Sequence, residues 1–116
     1  MQHAALRRYF RHGTLPQLMV FEAVARLGSY TRAGEELSLA QPTVSVQVRK
    51  LSESLGLRLL RMSGRKAVLT EAGKEVYDLA RQLFRLVVDA EERLGALRHL
   101  RARELVPARG VEPPTF

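Results

Sequence analysis

Ser63 and Lys66 stand three residues apart, the spacing at which a lysine can activate a serine nucleophile. No companion motif joins them, and they flank Gly64-Arg65 in a segment that reads as a turn, so hydrolytic chemistry is not expected. His3, His12 and His99 lie far apart with no close-set carboxylate pair, so no metal site and no cofactor is expected. The 116 residues include no cysteine, which removes disulfides, thiolate zinc sites and thiol nucleophiles and fits a reducing cytoplasm. What remains as chemistry is positive charge, and it is concentrated. Residues 40–70 hold Arg49, Lys50, Arg58, Arg61, Arg65 and Lys66 against Glu53 alone, +5 of a net +7. Residues 1–14 add Arg7, Arg8 and Arg11 with no acid, and residues 71–116 balance. A local basic patch is the electrostatic footprint of a polyanion binder, with a plain solvated face as the alternative.

The elements that must position these cations follow from periodicity. A first helix is predicted from about Pro16 to Leu27, with Thr14 as N-cap, Gly28 at its end, and Leu18, Phe21, Val24 and Ala25 as its stripe. Ser29 or Thr31 opens a second helix reaching Leu37, and Ser38-Leu39-Ala40 reads as a tight turn. A third helix is predicted from Gln41 to Leu55, burying Val44, Val48, Leu51 and Leu55. Its opposite face carries Pro42, Thr43, Ser45, Val46, Arg49, Lys50 and Glu53. Leu57 to Met62 and Lys66 to Leu69 predict a two-stranded hairpin with cations at its tip.

Thr70 then caps a long helix from Glu71 to about Arg103, roughly 50 Å at 1.5 Å per residue. Its apolar positions, Val76, Leu79, Leu83, Leu86, Ala90, Leu94 and Leu97, with Val87 beside them, approach a heptad seam and call for a partner helix. A fold-back near Gly95 is the alternative. Residues 105–116, with Pro107, Gly110, Pro113 and Pro114, read as an irregular tail. No stretch is apolar enough to span a membrane.

Helix, turn, helix, basic hairpin and long helix together make a mainly α fold, a winged helix-turn-helix followed by a dimerisation helix. Small residues at the start of the third helix let its backbone approach base edges in a major groove wide enough to admit a helix. The run LMVFEAVARLGSYTRAGEELSLAQPTVSVQVR at residues 18–49, then Gly56-Leu57, Gly64-Arg65 and Leu69-Thr70-Glu71-Ala72-Gly73, resembles the LysR-type bacterial transcriptional regulators over about residues 15–100. FEAVAR, SYTRAGEEL and EAGKEVY are similar to regulators of autotrophic carbon fixation.

The resemblance implies a sequence-specific transcriptional regulator on double-stranded operator DNA, cytoplasmic and not an enzyme. It implies a basic leader at residues 1–14, a winged helix-turn-helix at 15–70 with its helix-turn-helix at about 30–49, and a linker helix at 71–104. Thr31 and Arg32 would touch the DNA backbone. Gln41, Pro42, Thr43, Ser45 and Val46 would enter the major groove, with Arg49 and Lys50 behind them and Arg65 and Lys66 in the wing. The linker helix would pair antiparallel with that of a second copy, and an intact regulator could reach a tetramer. The chain stops near where an effector domain is expected, so no small-molecule site is expected within it. A non-specific nucleoid-associated protein and a regulator of another winged-helix family are the alternatives.

Three positions depart from the family pattern. Ala40 replaces the usual Ser or Thr cap, at a cost of about 0.5–2 kcal/mol. Gly34 replaces a common Ala, at roughly 1 kcal/mol. Val46 stands where Arg or Met is frequent and is expected to contact a thymine methyl group.

Overall fold

A computed structural model describes residues 2–10 and 13–109. In order these form α1 (Gln2–Phe10), α2 (Thr14–Leu27), α3 (Tyr30–Leu37), α4 (Gln41–Leu55), β1 (Leu60–Ser63), β2 (Lys66–Leu69) and α5 (Glu71–Arg109). The chain divides into two units, Met1–Arg81 and Gln82–Phe116. The first contains the helices α1 to α4, the hairpin and the start of α5.

The core of the first unit is built on α2. Leu18, Phe21 and Val24 are fully buried, and Val20 and Ala23 nearly so. The predicted stripe was narrower, because α2 packs against α1, α3, α4 and β2 together and so has little free face. Ala25, assigned to that stripe, is only half-buried. Val44, Val48 and Leu51 of α4 meet this core as predicted, while Leu55 is half-buried near the helix end. Leu59, Leu60, Ala67, Val76 and Ala80 complete it.

Glycines and serines set the helix ends. Thr14 is not the N-cap of α2 but its first residue, and Gly13 holds the cap position at φ 79°. That left-handed conformation suits glycine, whereas a β-branched residue resists it. Ser29 caps α3, its Oγ accepting from the Arg32 amide at 3.0 Å. Ser38 ends α3 at φ 58°, which makes the predicted tight turn. Ala40 caps α4 without a side-chain bond, as the sequence implied. Its carbonyl accepts from Thr43 N at 2.9 Å and Val44 N at 3.1 Å.

The hairpin is shorter than predicted, because β1 begins at Leu60 rather than Leu57. Leu59 is spent otherwise: its side chain is fully buried and its carbonyl accepts from Thr70 N at 3.1 Å. The register pairs Leu60 with Leu69 and Ser63 with Lys66, leaving Gly64-Arg65 as a two-residue turn. Gly64, at φ 64°, supplies the positive φ that such a turn requires.

Two expectations about the ends change. The basic leader contains a helix, α1, with Arg7 exposed. Arg11 lies outside the described residues. The predicted tail at 105–116 is helical as far as Arg109, with Pro107 inside the last turn, where its missing N–H forgoes one bond near the helix end. Residues 110–116 lie outside the described residues. At Gly95 the helix continues without a break, so the fold-back alternative is not adopted.

Candidate nucleic-acid interface

The residues predicted to enter the major groove sit at the start of α4. Gln41, Pro42 and Thr43 are exposed, and Ser45 and Val46 are half-buried. Val46 is therefore not the fully solvent-facing residue the helical wheel suggests. Gln41 Nε2 donates to Ser45 Oγ at 3.2 Å, one turn along the helix, which holds two hydrogen-bonding side chains side by side. Arg49 and Lys50 are exposed further along the helix, and neither enters an ion pair among the described residues. Thr31 and Arg32 are exposed in the first turn of α3, immediately after the Ser29 cap.

The wing is tied to this frame by backbone. Ala67 N donates to the Gly28 carbonyl at 2.9 Å, joining the start of β2 to the end of α2. The Lys66 stem lies over Gly28, with carbons 3.1 Å from where a Cβ on that glycine would stand, and Gly28 itself is at φ 68°. A side chain there would lift the wing away from the helices. Arg65 stays at the exposed tip and Lys66 is exposed beside it. Ser63 and Lys66 are an exposed cross-strand pair, so their spacing is hairpin register.

One arrangement escaped the sequence reading entirely. Glu22 is 7% exposed on α2 and holds two cations. Its carboxylate accepts from Arg26 Nε at 3.0 Å and from Arg81 Nη1 at 3.0 Å. Arg26 also binds Glu36 of α3, so one network ties α2, α3 and the start of α5. These bonds raise the Arg26 guanidinium above its ordinary pKa and lower the Glu36 carboxyl, in both cases chiefly through the Arg26–Glu36 hydrogen bond. The Glu22–Arg26 spacing of four was the available signal; the Arg81 partner, 59 residues away, left none.

A second feature is a cleft of about 280 Å³ between α3, α4 and the approach to β1, lined by Tyr30, Ser45, Arg49, Ser52, Arg58 and Leu59 among others. Tyr30 and Arg58 were not selected from the sequence. Only folding brings the start of α3 beside the segment that leads into the wing.

The residues predicted for dimerisation divide between the two units. Val76, in the first, is 7% exposed and spent in its core, so it is not free to meet a partner. Leu79 is exposed on the same stretch. In the second unit Leu86, Val87, Leu94 and Leu97 are 50–64% exposed, and Leu83 and Ala90 are half-buried. Val88 and Leu100 extend this apolar exposure beyond the predicted seam. Among the described residues no group of three His, Asp or Glu is arranged to hold a metal ion, and no helix is long and apolar enough to cross a membrane.

Two helices in a helix-turn-helix, with a basic hairpin tied to the end of α2, define a winged helix-turn-helix DNA-binding unit. Residues 15–74 match the family model described as bacterial regulatory helix-turn-helix protein, lysR family. The chain belongs to that family of transcriptional regulators and carries its DNA-binding domain. It is 52% identical over 87 residues, 75% of its length, to the RuBisCO operon transcriptional regulator of Allochromatium vinosum. It is 41% identical over 95 residues, 82% of its length, to the HTH-type transcriptional activator CmpR of Synechocystis. The chain spans 29% and 31% of the lengths of those two relatives. Among solved structures it is similar to a BenM DNA-binding domain in complex with benA site 1 DNA, at 32% identity and a TM-score of 0.68, covering 72% of this chain and 96% of that one. The CbnR DNA-binding domain in complex with DNA gives 34% identity and a TM-score of 0.65, covering 72% and 95%.

Proposed function

We propose that this chain is the operator-reading portion of a sequence-specific transcriptional regulator and acts as a dimer. The observation that carries the reading is the cationic face of α4, whose Arg49 and Lys50 enter no ion pair among the described residues, in a domain similar to ones solved on DNA. Gln41, Pro42, Thr43, Ser45 and Val46 enter the major groove. Arg49 and Lys50 reach guanine edges or phosphates, and Arg65 and Lys66 take the adjacent groove or backbone. Thr31 and Arg32 anchor the first helix-turn-helix element on phosphates. The winged unit occupies residues 15–70, after a basic leader at 1–14. The linker helix from residue 71 pairs antiparallel with that of a second copy through Leu79, Leu83, Leu86, Val87, Ala90, Leu94 and Leu97. The regulator works in the cytoplasm, and its activity is binding rather than catalysis.

The relatives named as RuBisCO operon regulators support carbon-fixation genes as the target. The test is fluorescence anisotropy on a RuBisCO operon promoter duplex and on an unrelated duplex of equal length, across a salt series. Preference for the promoter that survives rising salt supports the reading. Equal affinities that collapse together would indicate a non-specific nucleoid protein instead.

A further inference from the structure

The cleft between α3, α4 and the approach to β1 is cationic and polar without a balancing acid. Arg49 and Arg58 face it, and no carboxylate lines it. Neither arginine enters an ion pair among the described residues. Tyr30, Ser45 and Ser52 contribute hydroxyl groups, and Leu59 is the fully buried residue beneath. Gln41 already donates to Ser45 Oγ, whereas the Tyr30 and Ser52 hydroxyls have no side-chain partner among the described residues. Two guanidiniums and two open hydroxyls converging on a concave, acid-free surface form a receptor for an oxyanion.

We propose that this cleft seats one phosphate of the DNA backbone, held by the Arg58 and Arg49 guanidiniums and by the hydroxyls of Tyr30 and Ser52. The inference rests on the DNA-binding reading above and adds Tyr30, Ser52 and Arg58 to it. Its position supports DNA as the source of that phosphate. The cleft adjoins α4, the helix assigned to the major groove, and its far edge is the segment leading into β1, so the strand backbone bordering that groove is the phosphate within reach. Burial raises the Tyr30 phenol pKa, while the Arg58 charge opposes that rise, so Tyr30 stays a proton donor rather than a competing anion.

The test uses anisotropy with a duplex enriched by binding selection and a random duplex of equal length, each over a salt series. Arg58→Gln should weaken both duplexes by roughly tenfold, keep their ratio, and reduce the slope of log affinity against log salt by about 0.9, the value of one phosphate. Tyr30→Phe should weaken both a few-fold with the slope unchanged. A single neutral methylphosphonate walked along the selected duplex should reveal one position that weakens the natural chain clearly more than it weakens Arg58→Gln. If Arg58→Gln also lowers the melting temperature, Arg58→Lys decides: a restored slope supports a phosphate contact, and a slope still reduced overturns it. An unchanged slope in Arg58→Gln, with selectivity intact in the natural chain, overturns the cleft assignment alone. No selectivity in the natural chain overturns the DNA-reading proposal itself. Saturable binding of inorganic phosphate to the DNA-free chain, lost in Arg58→Gln while the DNA slope is unchanged, makes the ligand a free anion and also overturns the proposal.

Discussion

On the surface proposed to read DNA, single side chains would set what is distinguished. Val46 is half-buried on α4, a small apolar residue on the face that also carries Thr43, Arg49 and Lys50. Its methyl groups suit the 5-methyl of thymine, a contact worth about 0.8 kcal/mol for one buried carbon. Val46→Ala should therefore lose about fourfold in affinity on a duplex with thymine at the contacted position, and little where cytosine or uracil replaces it. Equal losses on all three would sink the idea. Glu36 carries the pH dependence. Its carboxyl is lowered by the Arg26 hydrogen bond, so the folded state releases a proton more readily than the unfolded chain. That stability is present above the ordinary glutamate value of about 4.3 and is lost as pH falls through the lowered folded value. Thermal melts from neutral pH downward should show Glu36→Gln losing less stability in acid than the natural chain. Parallel curves would remove Glu36 from the account.

Elements are joined here by close backbone approaches. Gly73 lies in the first turn of α5, where a Cβ would fall inside the van der Waals shell of the Leu59 carbonyl oxygen. Thr70 closes the same corner, its hydroxyl donating to Arg58 O at 2.6 Å and accepting from Gly73 N at 3.0 Å. The Leu69-Thr70-Glu71-Ala72-Gly73 run is thus a corner that seats the linker helix on the wing. Gly73→Ala should destabilise the first unit by about 3 kcal/mol, measured by urea unfolding, because two backbone segments must separate. A loss near zero would mean the corner opens freely. Gly34 belongs to the same class. The sequence suggested only a helix-propensity cost, yet the Leu39 carbonyl oxygen lies 2.6 Å from where its Cβ would be, so the glycine closes the turn between α3 and α4.

At the scale of the molecule, Leu86, Val87, Val88, Leu94, Leu97 and Leu100 of α5 lack cover within their own unit. Leu86 and Leu97 are 64% and 61% exposed, and such a series of leucines on one helix is characteristic of a surface that meets a partner. Leu86→Glu should yield monomers by light scattering while leaving the circular dichroism of the first unit unchanged. A variant that remains dimeric would argue against pairing through this seam. Affinity for a two-fold operator should fall with it, since each winged unit would then bind alone.

Much of this was legible from periodicity and capping. Spacings along α4 predicted its buried face, Gly28 and Gly56 marked helix ends, and the charge distribution singled out α4 and the wing. Local patterns carry such information because a helix or a turn is a short-range device. Contacts between residues distant in the chain left no comparable trace. Glu22 meeting Arg81, Leu59 beneath the corner at Gly73, the burial of Val76, and the cleft shared by Tyr30 and Arg58 all depend on how the helices pack. Local pattern along the chain was enough for the order of elements from α2 to the start of α5, for the helix expected to enter DNA and for the place of the positive charge. Tertiary structure alone decided which cations stay unpaired and which converge on one concave surface, because charge pairing depends on distance in space rather than along the chain.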